Sequence, residues 1–202
     1  MSDLTITLAG ETVDKKTGGE VLQANKKLTQ MNIDIIDVDI TLDSVAYAAG
    51  DNLFLPTKIP NAVAVKGGSA ILQSVVAVAS NDDVDADSTG AATGAFDLVV
   101  TSDATTTGFA AMNAAASSND YARAVAINTC GFFSVNNMTD MGAYSIGNKN
   151  NIGMVVTAES DSRDLYVWGI GQATQDYDLD DEDTVGTADG GILTLRFGLV
   201  QD

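Results

Sequence analysis

The chain has 202 residues, with 28 acids against 10 Lys and Arg, a formal net charge of −18 and no histidine. Without imidazole it has no general base with an unperturbed pKa near neutrality, no Ser-His or Cys-His nucleophile pair and no His-containing zinc site. Its bases are scattered and form no stripe that would hold a phosphate backbone, so neither nucleic acid nor an anionic membrane is an expected partner.

Of the 28 acids, 24 are Asp. Asp bonds to its own neighbouring backbone and favours turns and caps, whereas Glu is the better helix former. With 19 Gly and only two Pro, this points to strands joined by turns. The length suits one β domain able to bury roughly 70% of its unfolded surface. The opening MSDLTITLAG has neither the basic start nor the long apolar stretch of a secretion signal, and no later apolar run reaches the ~20 residues of a bilayer span. The expectation is a protein made in a reducing cytoplasm, in which the single cysteine, Cys130, is a buried small hydrophobe rather than a reactive thiol.

In chain order, Leu4 to Leu8 alternate strictly and predict a strand, followed by turn chemistry from Asp14 to Gly19. Glu20 to Met31 fits neither helix nor strand well. From Ile33 to Leu42 the alternation changes phase, because Ile33 and Ile35 share one parity while Ile36, Val38, Ile40 and Leu42 share the other. One extra residue does this, so the spacing predicts a β-bulge or a break between strands there, with Asp37, Asp39 and Thr41 on a solvated face. Ala48 to Asp51 reads as a turn, and Pro56 and Pro60 mark an edge strand or a connection, since proline removes a ladder donor. Ala62–Val65 and Ala70–Ala79 read as a hairpin with Gly67-Gly68 at its tip. The second arm has apolar residues of both parities (Ile71, Leu72, Val75, Val76, Val78), which predicts a central strand covered on both faces.

Asn81 to Gly94 is a loop by composition, Phe96 to Thr101 a strand, and Ala110 to Ser118 a loop or at most a short helix. Arg123–Thr129 and Phe132–Val135 read as strands around a break at Cys130-Gly131, and Asn136–Asn151 as a long polar connection. Ile152–Ala158 and Leu165–Ile170 read as a hairpin around Glu159 to Asp164. Trp168, the only Trp, reads as core rather than a sugar-stacking platform. Gly169-Ile170-Gly171 lacks the third glycine of a dinucleotide fingerprint and reads as strand-end glycine. Asp176 to Gly191 is acidic, and Ile192 to Val200 closes the chain as a strand with Leu193, Leu195, Phe197 and Leu199 in one parity. Eight to ten short strands without alternating helices predict an all-β, antiparallel β-sandwich or jelly-roll-like domain.

Two acidic loops are candidates for chemistry. Asp83, Asp85 and Asp87, and again Asp176, Asp178 and Asp180, alternate as an EF-hand loop begins. The sixth and twelfth positions are Ser88 and Gly94 in one and Asp181 and Thr187 in the other, so neither is an EF-hand. Oxygen-rich loops can hold Ca²⁺ without that motif, which keeps these six Asp as weak metal candidates beside the simpler reading of solvated turns. No catalytic residue and no other cofactor is expected. With 28 acids in the chain, two carboxylates of a glycosidase-like pair would not stand out by sequence position. With 18 surplus negative charges, stability and self-association are expected to rise with salt or Ca²⁺ as screening relieves repulsion. Thermal melts at low and high salt check this, and a midpoint indifferent to both would mean the charges are too dispersed to matter.

The stretches Asp43-Ser-Val-Ala-Tyr47-Ala-Ala-Gly50-Asp51, Ile59-Pro-Asn-Ala-Val63, Gly67-Gly-Ser-Ala-Ile-Leu-Gln73-Ser-Val75 and Phe96-Asp-Leu98 resemble a family of β-rich structural proteins of tailed bacteriophages. So do Asn151-Ile-Gly-Met-Val155, Asp164-Leu-Tyr-Val167 and Leu193-Thr-Leu-Arg-Phe-Gly-Leu199. The resemblance covers roughly residues 36 to 202 as scattered short matches and divides the chain into an N-terminal strand and extension (1–35) and a sandwich domain (36–202). It implies a virion structural protein, a capsid decoration or cement protein on the outer surface of the major capsid shell. The implied partners are the major capsid protein and further copies of itself, most simply as a trimer. A phage tail or fibre component and, in a different class, an extracellular carbohydrate-binding sandwich are the alternatives. Leu4, Ile6 and Leu8 are weak candidates for an interaction arm that adds to a sheet edge, an ordinary first strand being the equal alternative.

Overall fold

The computed structural model describes residues 6–8, 11–13, 32–43, 47–80, 94–104, 110–116, 123–136, 138–141, 144–174 and 191–201. By internal contacts the chain falls into two units, Met1–Asn32 and Ile33–Asp202. In the first, β1 (Ile6–Leu8) pairs antiparallel with β2 (Glu11–Val13).

The second unit is built from β3 (Asn32–Thr41), β4 (Asn52–Ile59), β5 (Ser69–Ser80), β6 (Phe96–Thr101), α1 (Arg123–Asn128), β7 (Thr129–Val135), β8 (Thr139–Asp140), β9 (Tyr144–Thr157), β10 (Leu165–Gly171) and β11 (Ile192–Gln201). They form a five-stranded sheet, β3-β11-β5-β9-β8, and a four-stranded sheet, β4-β10-β6-β7. All the registered pairs are antiparallel. The inward residues of both sheets form one core, as in a β-sandwich. Leu193, Leu195, Phe197 and Leu199 of β11 are all buried in it, as their shared parity predicts. From the other sheet come Leu53, Phe54 and Ile59 of β4, Phe96, Leu98 and Val100 of β6, and Leu165 and Val167 of β10.

Ala48 to Asp51 is a turn closed by the Asp51 N–H donating to the Ala48 carbonyl at 3.1 Å, with Gly50 at φ 93° supplying the left-handed residue. β4 carries Pro56 and is an edge of its sheet, where a missing donor is tolerated. Pro56 falls where the β4–β10 register skips, between Thr57 opposite Val167 and Phe54 opposite Gly169. Tyr47 is fully buried ahead of this strand, and its hydroxyl accepts the Asp43 N–H at 2.6 Å. Burial pushes its phenol up to about 12. A pKa raised in the folded state means stability that is whole below pH 10 and lost as pH climbs toward 12. Absorbance at 295 nm should therefore show one late-titrating tyrosine, and Tyr47→Phe should remove that phase; a single titration near 10 would contradict the burial.

Several expectations fail for physical reasons. β3 runs unbroken, and its exposure alternates without a phase change from Ile33 to Leu42. No bulge absorbs the extra residue; Ile33 and Ile35 point outward beside Asp37 and Asp39. Ala62–Val65 forms no hairpin arm with β5, because β4 and β5 belong to different sheets and the segment between them crosses over. Ala62 and Val63 are buried, and the Val63 and Gly67 N–H groups donate to the carbonyls of Arg163 and Ser162. The β9–β10 connection is likewise a crossover rather than a hairpin turn.

Arg123–Asn128 is helical rather than extended. Ala124 and Ala126 favour helix, and strand pairing starts only at Thr129, so Cys130-Gly131 lies inside β7. The polar stretch Tyr144–Asn151 is strand, since its pairing with β5 satisfies the backbone whatever the side chains. The extra residues of β9 bulge out at Asn151 and Gly153, both with positive φ, opposite the Leu72–Ser74 register shift. β5 is central, as predicted, but only one of its faces is covered among the described residues; Ile71, Val76 and Val78 are half-buried on the other.

Candidate functional site

The outer face of the five-stranded sheet is rich in β-branched side chains where a solvated sheet face ordinarily alternates to polar. Val200 of β11 lies opposite Ile71 of β5, and Ile71 lies opposite Val155 of β9. β3 extends this row. The Leu42 N–H donates to the Gly191 carbonyl, Thr194 Oγ1 donates to Asp39 Oδ1 at 2.7 Å, and Arg196 meets Asp37. Counting on from these antiparallel contacts sets Ile35 beside Gly198 and Ile33 beside Val200. Ile33, Ile35 and Val155 are 66%, 67% and 63% exposed. Three strand spacings make the row about 14 Å long.

The charged pair on this face is self-satisfied. Arg196 Nε and Nη2 donate to the two carboxylate oxygens of Asp37 at 2.8 and 2.9 Å, a bidentate geometry. The hydrogen bond from Arg196 holds the Asp37 carboxyl below its ordinary value. Both partners are exposed, so the pair fixes side-chain direction more than it stabilises the fold.

At the β9 end the row meets a cleft of about 400 Å³ between the start of β7 and the β9–β10 crossover. Its apolar mouth is Val155 and Ile127, the latter 68% exposed at the end of α1. Its polar wall is Glu159, whose Oε1 accepts the Ser102 hydroxyl at 3.1 Å. Among the described residues Glu159 has no cationic partner. Cys130 also lines this cleft, half-buried, with its thiol pointing at the Thr157 carbonyl at 3.7 Å. Burial pushes that thiol up, which makes it a poor nucleophile at neutral pH. Cys130 is accordingly expected to react with a disulfide reagent at least about tenfold more slowly in the native protein than in denaturant; equal rates would overturn this.

Asp83, Asp85, Asp87, Asp176, Asp178 and Asp180 lie outside the described residues, as does Leu4, while Ile6 and Leu8 are placed only by backbone, in β1. No group of three potential metal ligands occurs among the described residues. Among them, too, no helix is long and apolar enough to cross a membrane. Trp168 is buried, but on the face of its sheet opposite the main core, with Val99 and Ile170. The apolar row and the cleft were not anticipated. Their one signal in the sequence is the phase change at Ile33 and Ile35, which by spacing alone predicts a β-bulge or a break between strands.

No family model and no curated protein matches the chain. Solved structures similar to it include the capsid of Ralstonia phage GP4, at 16% identity over 85% of each chain with a TM-score of 0.38. Another is the mud crab tombus-like virus, at 12% identity over 89% of this chain and 94% of that one with a TM-score of 0.31. Likenesses at this level fix neither a shared family nor a role.

Proposed function

We propose that the protein is a virion structural protein, acting as a non-catalytic capsid decoration or cement protein that docks on the outside of a major capsid shell. The observation that carries this reading is the uncovered apolar row of the five-stranded sheet, with three large aliphatic side chains about two-thirds exposed. Exposed apolar patches of this kind mark docking surfaces on β domains. The stretches that resemble β-rich structural proteins of tailed bacteriophages run through the same sandwich and support the same role. Repetition on a lattice lets a few hundred Å² per contact suffice, because valency multiplies weak binding. The oligomer, taken as a trimer, rests on the resemblance. No metal or other cofactor enters the reading, and Trp168, being buried, is not available to stack on a sugar.

The direct test is co-purification with virions and location of the protein's density on them. Density on the outer shell is the expected result; density in the tail, or free protein only, overturns the proposal. Polysaccharide or peptide hydrolysis by the pure protein, lost on replacing one carboxylate pair, would overturn its non-catalytic part.

A further inference from the structure

We propose that the row Ile33–Ile35–Val200–Ile71–Val155 and the cleft beside it form one continuous site, which takes an aliphatic segment of a partner protein ending in a lysine or arginine that reaches Glu159. The inference deepens the docking role proposed above and rests on it, by assigning the chemistry of the segment that docks.

Three features select this occupant. The row is apolar and its one ion pair, Asp37–Arg196, is already closed, so an aliphatic surface can cover it without stranding a charge. The cleft is at the lower end of the range for ligand sites, large enough for one long side chain, and it has an aliphatic mouth with a carboxylate on its wall. Lysine and arginine have this dual character, an apolar stem with a cationic head. Charge disfavours a second copy at this face in particular, because the cleft ends in the Glu159 carboxylate and a chain of net −18 brings acids to it about three times as often as bases, so the contacts of the trimer are assigned to other surfaces. Among the described residues β3 is an edge strand, and its charges are Asp34, Asp37 and Asp39, while Ile33 and Ile35 at its start stay outward. Isoleucines left outward at such an edge are accounted for by a partner that covers them.

The test uses the full chain and a fluorescein-labelled amphipathic peptide of about ten residues, enough for a helix to span the row, with a leucine face and one terminal lysine. The same peptide ending in glutamate is the comparison. Binding is measured at about 0.5 M salt, where a Debye length of only a few Å removes non-specific attraction to the net charge. The lysine peptide is expected to bind, the Ile35→Ser/Val155→Ser double variant to weaken it about tenfold, and Glu159→Gln to erase most of the preference for lysine over glutamate. Asp140→Asn, an acid on β8 away from the cleft, is expected to change nothing. All substituted side chains are exposed, and unaltered melts establish that the variants fold.

No binding, or binding indifferent to these substitutions, overturns the inference. So does a concentration-dependent dimer of the wild-type chain that the double variant abolishes, which would give the face to a second copy. Virion co-sedimentation separates the two levels. If the wild type and the double variant co-sediment equally, the inference fails and the docking role stands. If the wild type does not co-sediment while the peptide still binds as expected, the docking role fails and the chemistry of the face stands.

Discussion

Phe197→Ala is expected to cost about 3–5 kcal/mol of folding stability, the ordinary price of deleting a buried aromatic ring. Phe197 is fully buried near the middle of β11, directly opposite Val75 of β5, which is also fully buried. β11 is held between β3 and β5, and β5 between β11 and β9, so neither strand is free to move into the space. A domain of this size has about 5–15 kcal/mol in total, and the loss should lower the midpoint of thermal unfolding on the order of 10 °C. Urea denaturation checks it through a lower midpoint at unchanged slope. A loss below 1 kcal/mol would mean that the cavity collapses and that the packing around β11 is looser than its burial indicates.

Much of the sandwich was legible because β11 and β6 obey simple rules. In β11 the parity of Leu193, Leu195, Phe197 and Leu199 gives the inward face directly, and Phe96–Thr101 stands between turn-rich segments. Partner choice was not legible, since sequence neighbours need not pair. Gly67-Gly68 and the loop after Glu159 both carry turn chemistry, yet each leads the chain from one sheet to the other. Such turns are local, whereas the pairing of β5 with β9 and β11 is decided by burial across the whole domain. α1 was missed because Val125 and Ile127 mimic strand spacing in a segment too short for helical periodicity to declare itself.

The candidate site failed to show for a related reason. Periodicity assumes that apolar residues face the core, so the phase change at Ile33 and Ile35 predicts a β-bulge or a break between strands. The strand instead keeps its register and leaves them in solvent. Val155 and Ile127 were hidden in the same way among residues that look like core. A break in the pattern is thus a signal in its own right, and what it marks is decided by whether the backbone bends to absorb it.

Gly169→Val is expected to destabilise the domain by about 1–3 kcal/mol or more, through overpacking rather than backbone strain. The sequence suggests strand-end glycine for Gly169-Ile170-Gly171, and Gly171 does end β10, but Gly169 lies within it. There the β10–β4 register shifts on both sides of the Gly169–Phe54 pair. A Cβ on Gly169 would stand 2.5 to 3.0 Å from three carbons of the Phe54 ring. That ring is buried in the main core and has no solvent to swing into. Gly169 therefore carries no side chain because the aromatic ring occupies its place, a packing need that no turn rule would reveal. Phe54→Ala alone should cost about 3–5 kcal/mol for its cavity. If glycine and ring share one volume, Gly169→Val/Phe54→Ala should be less destabilised than the sum of its parts by about 1–3 kcal/mol, because the valine enters the space the ring leaves. Strict additivity in urea melts of the four proteins would show that the two positions do not compete, and the packing explanation for Gly169 would fall.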